Sequence, residues 1–379
     1  MSWREITAED LNSLKKAVIV DVRSPCEYVE EHIPNAINVP LFSNEERQTI
    51  GTIYALEGEV VARRQGLKII SPKIPELIDE ILSKRTASAP LVVHCWRGGL
   101  RSESVASLLS IIGVDCWRLT GGYKAWRKEL LSEFEDDPYA FAMVVLHGNT
   151  GAGKTEILSR LREMGQSVLD LEDLASHRGS VFGALGLGPQ PTQKNFDAAI
   201  WQAVRTFPPG FVFVEAEGKK IGRLTLPKFI FDRIQYGARV LVEGSLAARC
   251  QRIVRDYTDG LGLSSAAKEQ ALHSLDAIKE RLGGQKLAEV KRLAELNDLS
   301  SVVAILLADY YDPLYSKAIA NYQPYELTVD GDQPQAAAEA IVKHCLDIHF
   351  NQNHSSQSHS SQSHSNQDRS SQNQPSQNS

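Results

Sequence analysis

The chain has 379 residues, 42% hydrophobic and 23% charged. These proportions exclude a disordered or fibrous chain and leave material for two globular cores. No apolar run approaches the roughly 18 residues of a membrane span, and a net charge of −6 neither selects nor rejects a nucleic-acid partner, because local patches decide binding.

The start, MSWREITAEDL, places acids where a secretory signal needs an apolar stretch, so the cytoplasm is the expected compartment. Short apolar strands then alternate with helical stretches. AVIVDV (17–22), AINVP (36–40), LVVHC (91–95) and DCWRLTGG (115–122) read as strands. IPELIDEILSK (74–84), ESVASLLSIIG (103–113) and YKAWRKELL (123–131) read as helices. The pattern predicts an α/β domain with a mostly parallel sheet over residues 1–132. An acidic, proline-containing segment over 133–140, with FEDDPYA, suits a linker.

A second β/α alternation fills 141–350. Its predicted strands are FAMVVLHG (141–148), SVLDL (167–171), FVFVEA (211–216), ARVLVEG (238–244) and YELTVD (325–330), and the helix AAAEAIVKHCLDIHF (336–350) closes it. This reads as a doubly wound parallel sheet. Residues 351–379 collapse to Ser, Gln, Asn and His, with His354, His359 and His364 in a five-residue repeat. A disordered tail is expected there, with weak metal binding as the less favoured reading.

Five cysteines, Cys26, Cys95, Cys116, Cys250 and Cys345, show no CxxC spacing. That argues against a disulfide framework and a structural zinc site. Cys95 stands apart in CWRGGLRS (95–102). It ends an apolar strand and precedes a helix, and Gly98 and Gly99 permit a tight ring of amides. Arg97 and Arg101 add positive charge. Such surroundings suit a negatively charged sulfur. They can cradle a thiolate carrying a sulfur-like atom, or an oxyanion beside a thiolate.

Gly148-Asn149-Thr150-Gly151-Ala152-Gly153-Lys154-Thr155 fits G-x-x-x-x-G-K-[ST], after a strand and before the helix TEILSRLREMG. Gly148, Gly151 and Gly153 let amides turn toward a phosphate, Lys154 adds a point charge, and Thr155 can ligate Mg²⁺. Glu215 and Glu217 end the strand FVFVEAEG and are candidates to hold Mg²⁺ or a diphosphate, against the plainer reading of a solvated strand end. Lys219, Lys220 and Arg223 follow at once, with Lys228 and Arg233 beyond. Arg249, Arg252 and Arg255 fall on one face of the helix LAARCQRIVRDY. These basic clusters suit a nucleic-acid backbone or a diphosphate, though such clusters are more often solvated faces.

DVRSPCEYVEEHIPNAINVP (21–40) resembles the opening signature of rhodanese domains, matched by Asp21, Arg23, Glu27, His32 and Pro34. GGYKAWR (121–127) resembles the closing motif, and the family's active cysteine falls on Cys95. His94-Cys95-x₅-Arg101-Ser102 also satisfies the signature of cysteine phosphatases, so loop spacing alone leaves sulfur-type transfer and phosphate-ester cleavage open.

The fusion of the two domains resembles the bacterial tRNA 2-selenouridine synthases through nearly all of residues 4–345. The resemblance includes IGTIYALEGEVVARRQG (50–66), HRGSVFG (177–183), FVFVEAEGKKIG (211–222) and YYDPLY (310–315). Gly218 departs from the serine expected there, and the tail has no counterpart. The resemblance implies replacement of sulfur by selenium in wobble 2-thiouridine of tRNA. Selenophosphate is then the donor, and geranyl diphosphate gives an S-geranyl intermediate, with Mg²⁺ a candidate ion. On this reading Cys95 acts in the selenium step, and Arg97 and Arg101 hold the donor's phosphate. The phosphate loop takes the diphosphate, and Lys219, Lys220 and Arg223 are candidates for tRNA contact. No membrane is implied; the selenophosphate-producing enzyme is a further candidate partner. The rival readings are a cysteine phosphatase fused to a small-molecule kinase, a sulfurtransferase coupled to an NTPase, and a regulatory binding module.

Overall fold

Val18–Asp21 (β2) and Leu91–His94 (β4) are short, mostly branched-apolar runs; β4 is buried throughout and β2 at Val20 and Asp21, as suits strands inside a parallel sheet. They pair with each other and sit among Arg4–Ile6 (β1), Ile37–Asn38 (β3) and Trp117–Leu119 (β5) in the order β1-β5-β4-β2-β3, every pairing parallel. The computed structural model describes residues 3–14, 16–85, 89–258, 275–276 and 278–347. The Ser/Gln/Asn/His tail and the end of the helix expected over 336–350 lie outside the described residues.

Helices Ala8–Ser13 (α1), Pro25–Glu30 (α2), Asn44–Glu57 (α3), Glu59–Ile70 (α4), Ile74–Lys84 (α5), Leu100–Ile111 (α6) and Gly122–Asp136 (α7) cover this sheet. Capping boxes start two of them, Ser24 with Glu27 and Ser43 with Glu46. The strand expected over 36–40 shrinks to two residues, because Pro40 has no N–H to continue a ladder. The segment expected to be a linker begins as helix: α7 runs to Asp136. Glu133, inside that turn, accepts hydrogen bonds from Tyr139 and from Trp201, so its charge serves a contact rather than a loop.

The second sheet is also wholly parallel, in the order β12-β11-β6-β8-β7. Its strands are Phe141–His147 (β6), Ser167–Leu169 (β7), Gly210–Glu215 (β8), Ala238–Glu243 (β11) and Leu327–Asp330 (β12). Alternation along the central strands builds two cores. Val145, Val212 and Val214 face one, and Val144, Leu146 and Phe213 the other. Helices lie on both: Lys154–Glu163 (α8), Leu171–Ala175 (α9), Gln193–Val204 (α10), Lys228–Tyr236 (α11), Leu246–Thr258 (α12) and a last helix over 334–347. A small hairpin of Lys220–Ile221 (β9) and Leu224–Thr225 (β10) follows β8. Helices between 279 and 321 form a satellite core around Ile278, Val290 and Leu307.

The two domains are joined by more than the chain. Trp126 of α7, fully buried, meets the edge of Trp201 of α10 with ring centroids 5.4 Å apart, a geometry worth about 1 kcal/mol beyond area burial. Ion pairs Arg127–Asp197 and Arg205–Glu133 flank it. At the start of α10, Thr192 Oγ1 donates to the Glu30 carbonyl (2.6 Å) and Asn195 Nδ2 to the Val29 carbonyl (3.2 Å). The His32 amide in turn donates to Asn195 Oδ1 (3.1 Å).

Candidate functional site

Parallel strands deliver their C-terminal ends to one edge of a sheet, and the loops there are free to bind. In the second sheet β6 ends at His147 and the loop from Gly148 to Gly153 runs straight into α8. Leu146 lies in register with Glu215 of β8, so a carboxylate stands beside the loop. Thr155 Oγ1 donates to Glu215 Oε1 at 2.6 Å. Lys154 Nζ donates to the carbonyls of Gly148 (3.2 Å) and Asn149 (3.4 Å) and lies 3.8 Å from Glu215 Oε2. The loop, these side chains and the segment around Gly179 enclose a cavity of about 940 Å³.

Glu217 and Glu172 complete a cluster with Glu215. One oxygen from each lies within 4.8 Å of the other two. Burial raises the Glu172 carboxyl to about 9, helped by the charges of Glu215 and Glu217. Burial and Glu215 raise Glu217 to about 7. Crowded, desolvated carboxyls keep protons that isolated ones lose. Gly179 closes over them: at φ +63, a backbone region that favours glycine, its hypothetical Cβ would lie 2.9 Å from oxygens of both Glu172 and Glu217, so a side chain there would displace the carboxylates. At Gly218 a Cβ would meet nothing nearer than the Lys220 carbonyl at 3.9 Å; nothing in the structure explains why glycine replaces the expected serine.

The arginines of α12 meet the loop and its neighbours, and Arg252 and Arg255 also line the cavity. Arg249 is buried, donates to the Thr150 carbonyl (2.9 Å) and pairs with Asp312. Arg252 holds the carbonyls of Gly151 (3.2 Å) and Gly331 (2.6 Å) and pairs with Glu156 and Asp332. Arg255 pairs with Glu156. Arg249 and Arg252 therefore hold carbonyls of the loop from Gly148 to Gly153 and are not a solvated basic face. Arg233 is likewise engaged by Asp137 and the Tyr139 carbonyl.

In the first domain Cys95 follows β4 and precedes α6, its side chain 3% exposed. Sγ lies 3.3 Å from Ser102 Oγ, in the first turn of that twelve-residue helix, whose N-terminus carries positive potential. The loop is pressed against the turn before α7. The Tyr123 and Lys124 amides donate to the carbonyls of Cys95 (2.9 Å) and Trp96 (3.0 Å). A Cβ on Gly122 would sit 2.3 Å from the Cys95 carbonyl oxygen, and one on Gly98 2.5 Å from that of Leu119. Both glycines have positive φ. Gly99 and Arg97 are exposed. Arg101 turns to α2 and forms two hydrogen bonds with Glu27.

The remaining signature residues shape the frame. Arg23, fully buried, grips Asp21 and the Glu31 carbonyl and covers the Tyr123 ring at 4.5 Å. His32 stacks on Tyr28 at 4.4 Å. Burial pushes the His94 imidazole below its ordinary value, 3.8 Å from Asp21.

Lys219 and Lys220 are exposed, and Lys220 reaches the rim of the phosphate-loop cavity. Arg223 is exposed but fastened to the carbonyls of Gln190 and Pro191. Sequence reasoning missed Glu172 and the aromatic group beside the loop: His147, with Tyr322 at 4.7 Å and Tyr325 at 5.4 Å. Burial first, then Arg239 and Lys154, lower His147 to about 4.

Two family models match the chain. One describes the tRNA 2-selenouridine synthase AAA domain and covers residues 141–345; the other describes the rhodanese-like domain and covers 7–129. The chain is 33% identical to a tRNA 2-selenouridine synthase of Sulfurovum sp. (strain NBC37-1) across 81% of this chain and 90% of that one. It is 34% identical to one of Shewanella denitrificans across 82% and 90%. A solved N-terminal domain of a putative ATP/GTP binding protein from Clostridium difficile 630 is 41% identical over 34% of this chain and 98% of its own, at a TM-score of 0.33.

Proposed function

The chain belongs to the tRNA 2-selenouridine synthase family, and we propose that it replaces sulfur by selenium in the wobble 2-thiouridine of tRNA in two steps. In the first, the thiocarbonyl sulfur attacks the C1 carbon of geranyl diphosphate, the C–O bond breaks, and diphosphate leaves. Geranyl thiolate is a better leaving group than the sulfur of the unmodified thiocarbonyl. In the second, the Cys95 thiolate attacks the phosphorus of selenophosphate and the P–Se bond breaks; the released selenide attacks the base carbon, geranyl thiolate departs, and water then cleaves the S–P bond to free the cysteine and phosphate.

Gly148, Gly151, Gly153, Lys154 and Thr155 bind the diphosphate and stabilise the charge it gains on leaving. The Thr155 hydroxyl and the carboxylates of Glu215, Glu217 and Glu172 are hard oxygen donors gathered beside the loop, a set that fits Mg²⁺. Bound there, the ion would neutralise charge on the departing diphosphate. Cys95 serves the selenium step as the nucleophile toward the donor, and Arg97, exposed on the loop, and Arg101, held by Glu27, are the residues for the donor's phosphate oxygens. Lys219 and Lys220, exposed beside the cavity, are suited to the tRNA backbone; Arg223 stiffens their hairpin.

The observation that carries the reading is the pairing of two anion cradles in one chain: a phosphate loop facing carboxylates, and a cysteine at a helix N-terminus between glycines. Nucleoside mass spectrometry tests it. The protein is incubated with 2-thiouridine tRNA, geranyl diphosphate and selenophosphate beside a Cys95→Ala variant. Selenium replaces sulfur with the native protein, and the variant stops at the geranylated nucleoside. An unchanged wobble nucleoside under every condition overturns the proposal.

A further inference from the structure

A base that receives selenium from Cys95 has to lie against the Cys95 loop, yet Cys95 itself is 3% exposed. The loop offers solvent the partly exposed Trp96, then Arg97, Gly99 and Leu100. Trp96 is held from behind. Its ring stacks on the buried Tyr123, with centroids 5.6 Å apart and planes inclined by 24°. Tyr123 rests on Trp126 at 5.6 Å, and Trp126 meets Trp201 of the second domain. The Lys124 amide fixes the Trp96 carbonyl (3.0 Å). An aromatic ladder thus runs from the domain seam to the Cys95 loop, and Trp96 is its one rung that is not buried.

A ring fixed on one side and reached by solvent elsewhere suits a flat partner. Bases turned out of a single-stranded loop are held by their faces on aromatic side chains. The Trp96 indole N–H makes no hydrogen bond among the described residues, so it remains free for a polar edge. Arg97 and Lys124 are exposed and form no ion pair among the described residues; such cations serve a nucleic-acid backbone. A hydrocarbon would use the ring alone and leave the N–H and both cations idle.

We propose that Trp96 is the stacking platform for the wobble base of tRNA, holding it at the Cys95 loop during the selenium step. The proposal rests on the reading of Cys95 as the residue of that step.

Fluorescence anisotropy with an anticodon stem-loop RNA and the full chain tests it. One loop carries 2-thiouridine at the wobble position and another is abasic there. Stacking one base is worth roughly tenfold in affinity, so the native protein should prefer the 2-thiouridine loop by about that factor. Trp96→Ala should bring the two loops within about twofold of each other, and Trp96→Phe, which keeps a ring, should retain most of the preference. Iodoacetamide should alkylate Cys95 at the native rate in both variants, which reports an intact loop. Loops bearing S-methyl- and S-geranyl-2-thiouridine should lose affinity equally in Trp96→Ala; a loss confined to the S-geranyl loop places the ring against the hydrocarbon and overturns the proposal. Equal binding of the 2-thiouridine and abasic loops by the native protein overturns it without any variant. So does a Trp96→Ala loss as large for the abasic loop, or a preference that Trp96→Phe abolishes. If the native protein makes 2-selenouridine and Trp96→Ala keeps the full preference, the platform alone falls. If the native protein makes none from selenophosphate and the geranylated loop, the reading of Cys95 falls with it.

Discussion

Glu27 holds Arg101 through hydrogen bonds of 2.7 and 3.2 Å, although 74 residues separate them in the chain. The same carboxylate caps α2 through Ser24. One acid thus fixes both the start of a helix and the arginine of the Cys95 loop.

Glu27→Gln keeps the shape and removes the charge. Arg101 should lose its bearing, and selenium incorporation should fall about tenfold by nucleoside mass spectrometry, with the geranylated nucleoside still formed. Burial pushes the Glu27 carboxyl up, but Arg101, Ser24 and Arg47 outweigh it and hold it below its ordinary value. Its contribution to stability is therefore present at neutral pH and is lost as pH falls through the lowered value. In the variant, denaturant midpoints should lose that acid-side dependence.

Lys154→Ala removes the point charge at the loop, and Thr155→Val the hydroxyl that meets Glu215. Each should weaken diphosphate binding by at least about tenfold, the strength of a charge-assisted hydrogen bond. Titration calorimetry measures this, while alkylation of Cys95 by iodoacetamide should proceed at the native rate in both variants.

The carboxylate cluster predicts an alkaline weakness. Glu172 and Glu217 have raised values, so the folded chain binds more protons than the unfolded chain once pH exceeds the ordinary carboxylate range. Stability present below that range is lost as pH rises through about 7 and toward about 9. Glu172→Gln should flatten the fall and gain on the order of 1–2 kcal/mol at pH 8. Thermal midpoints against pH decide it. Mg²⁺ should raise the native midpoint more at pH 8 than at pH 6.

Trp126→Ala empties a fully buried site shared by both domains. Loss of about 3–5 kcal/mol is expected, read from urea unfolding.

The candidate phosphate loop stands out in the sequence because its residues are contiguous: eight of them lie between a strand and a helix, where the structure also places them. The loop after Cys95 is contiguous in the same way. Glu172 does not stand out, since an acid in LEDL looks like any helix start; only the pairing of β7 with β8 brings it to Glu215. The arginines of α12 were legible as a shared face but not in their partners, because spacing on a helix says which side chains share a face, not what that face meets. Arg249 and Arg252 face backbone carbonyls of the loop. The pair α3–α4 escaped because neither helix buries a continuous apolar stripe: α3 has no buried residue and α4 only Ala62 and Gly66.

The contact between Asn195, Thr192 and α2 has a one-sided character. On the α2 side it uses only main-chain atoms: the carbonyls of Val29 and Glu30 and the amide of His32. A change of side chain at 29 or 30 leaves these hydrogen bonds in place, although one at 30 also removes the Glu30 carboxylate from Lys194. On the other side the groups are an amide and a hydroxyl that few residues supply. Over evolutionary time positions 29 and 30 are therefore free to drift as far as these three hydrogen bonds are concerned, while Thr192 and Asn195 carry their constraint; the side-chain constraint on the first domain lies instead at Trp126, Arg127 and Glu133.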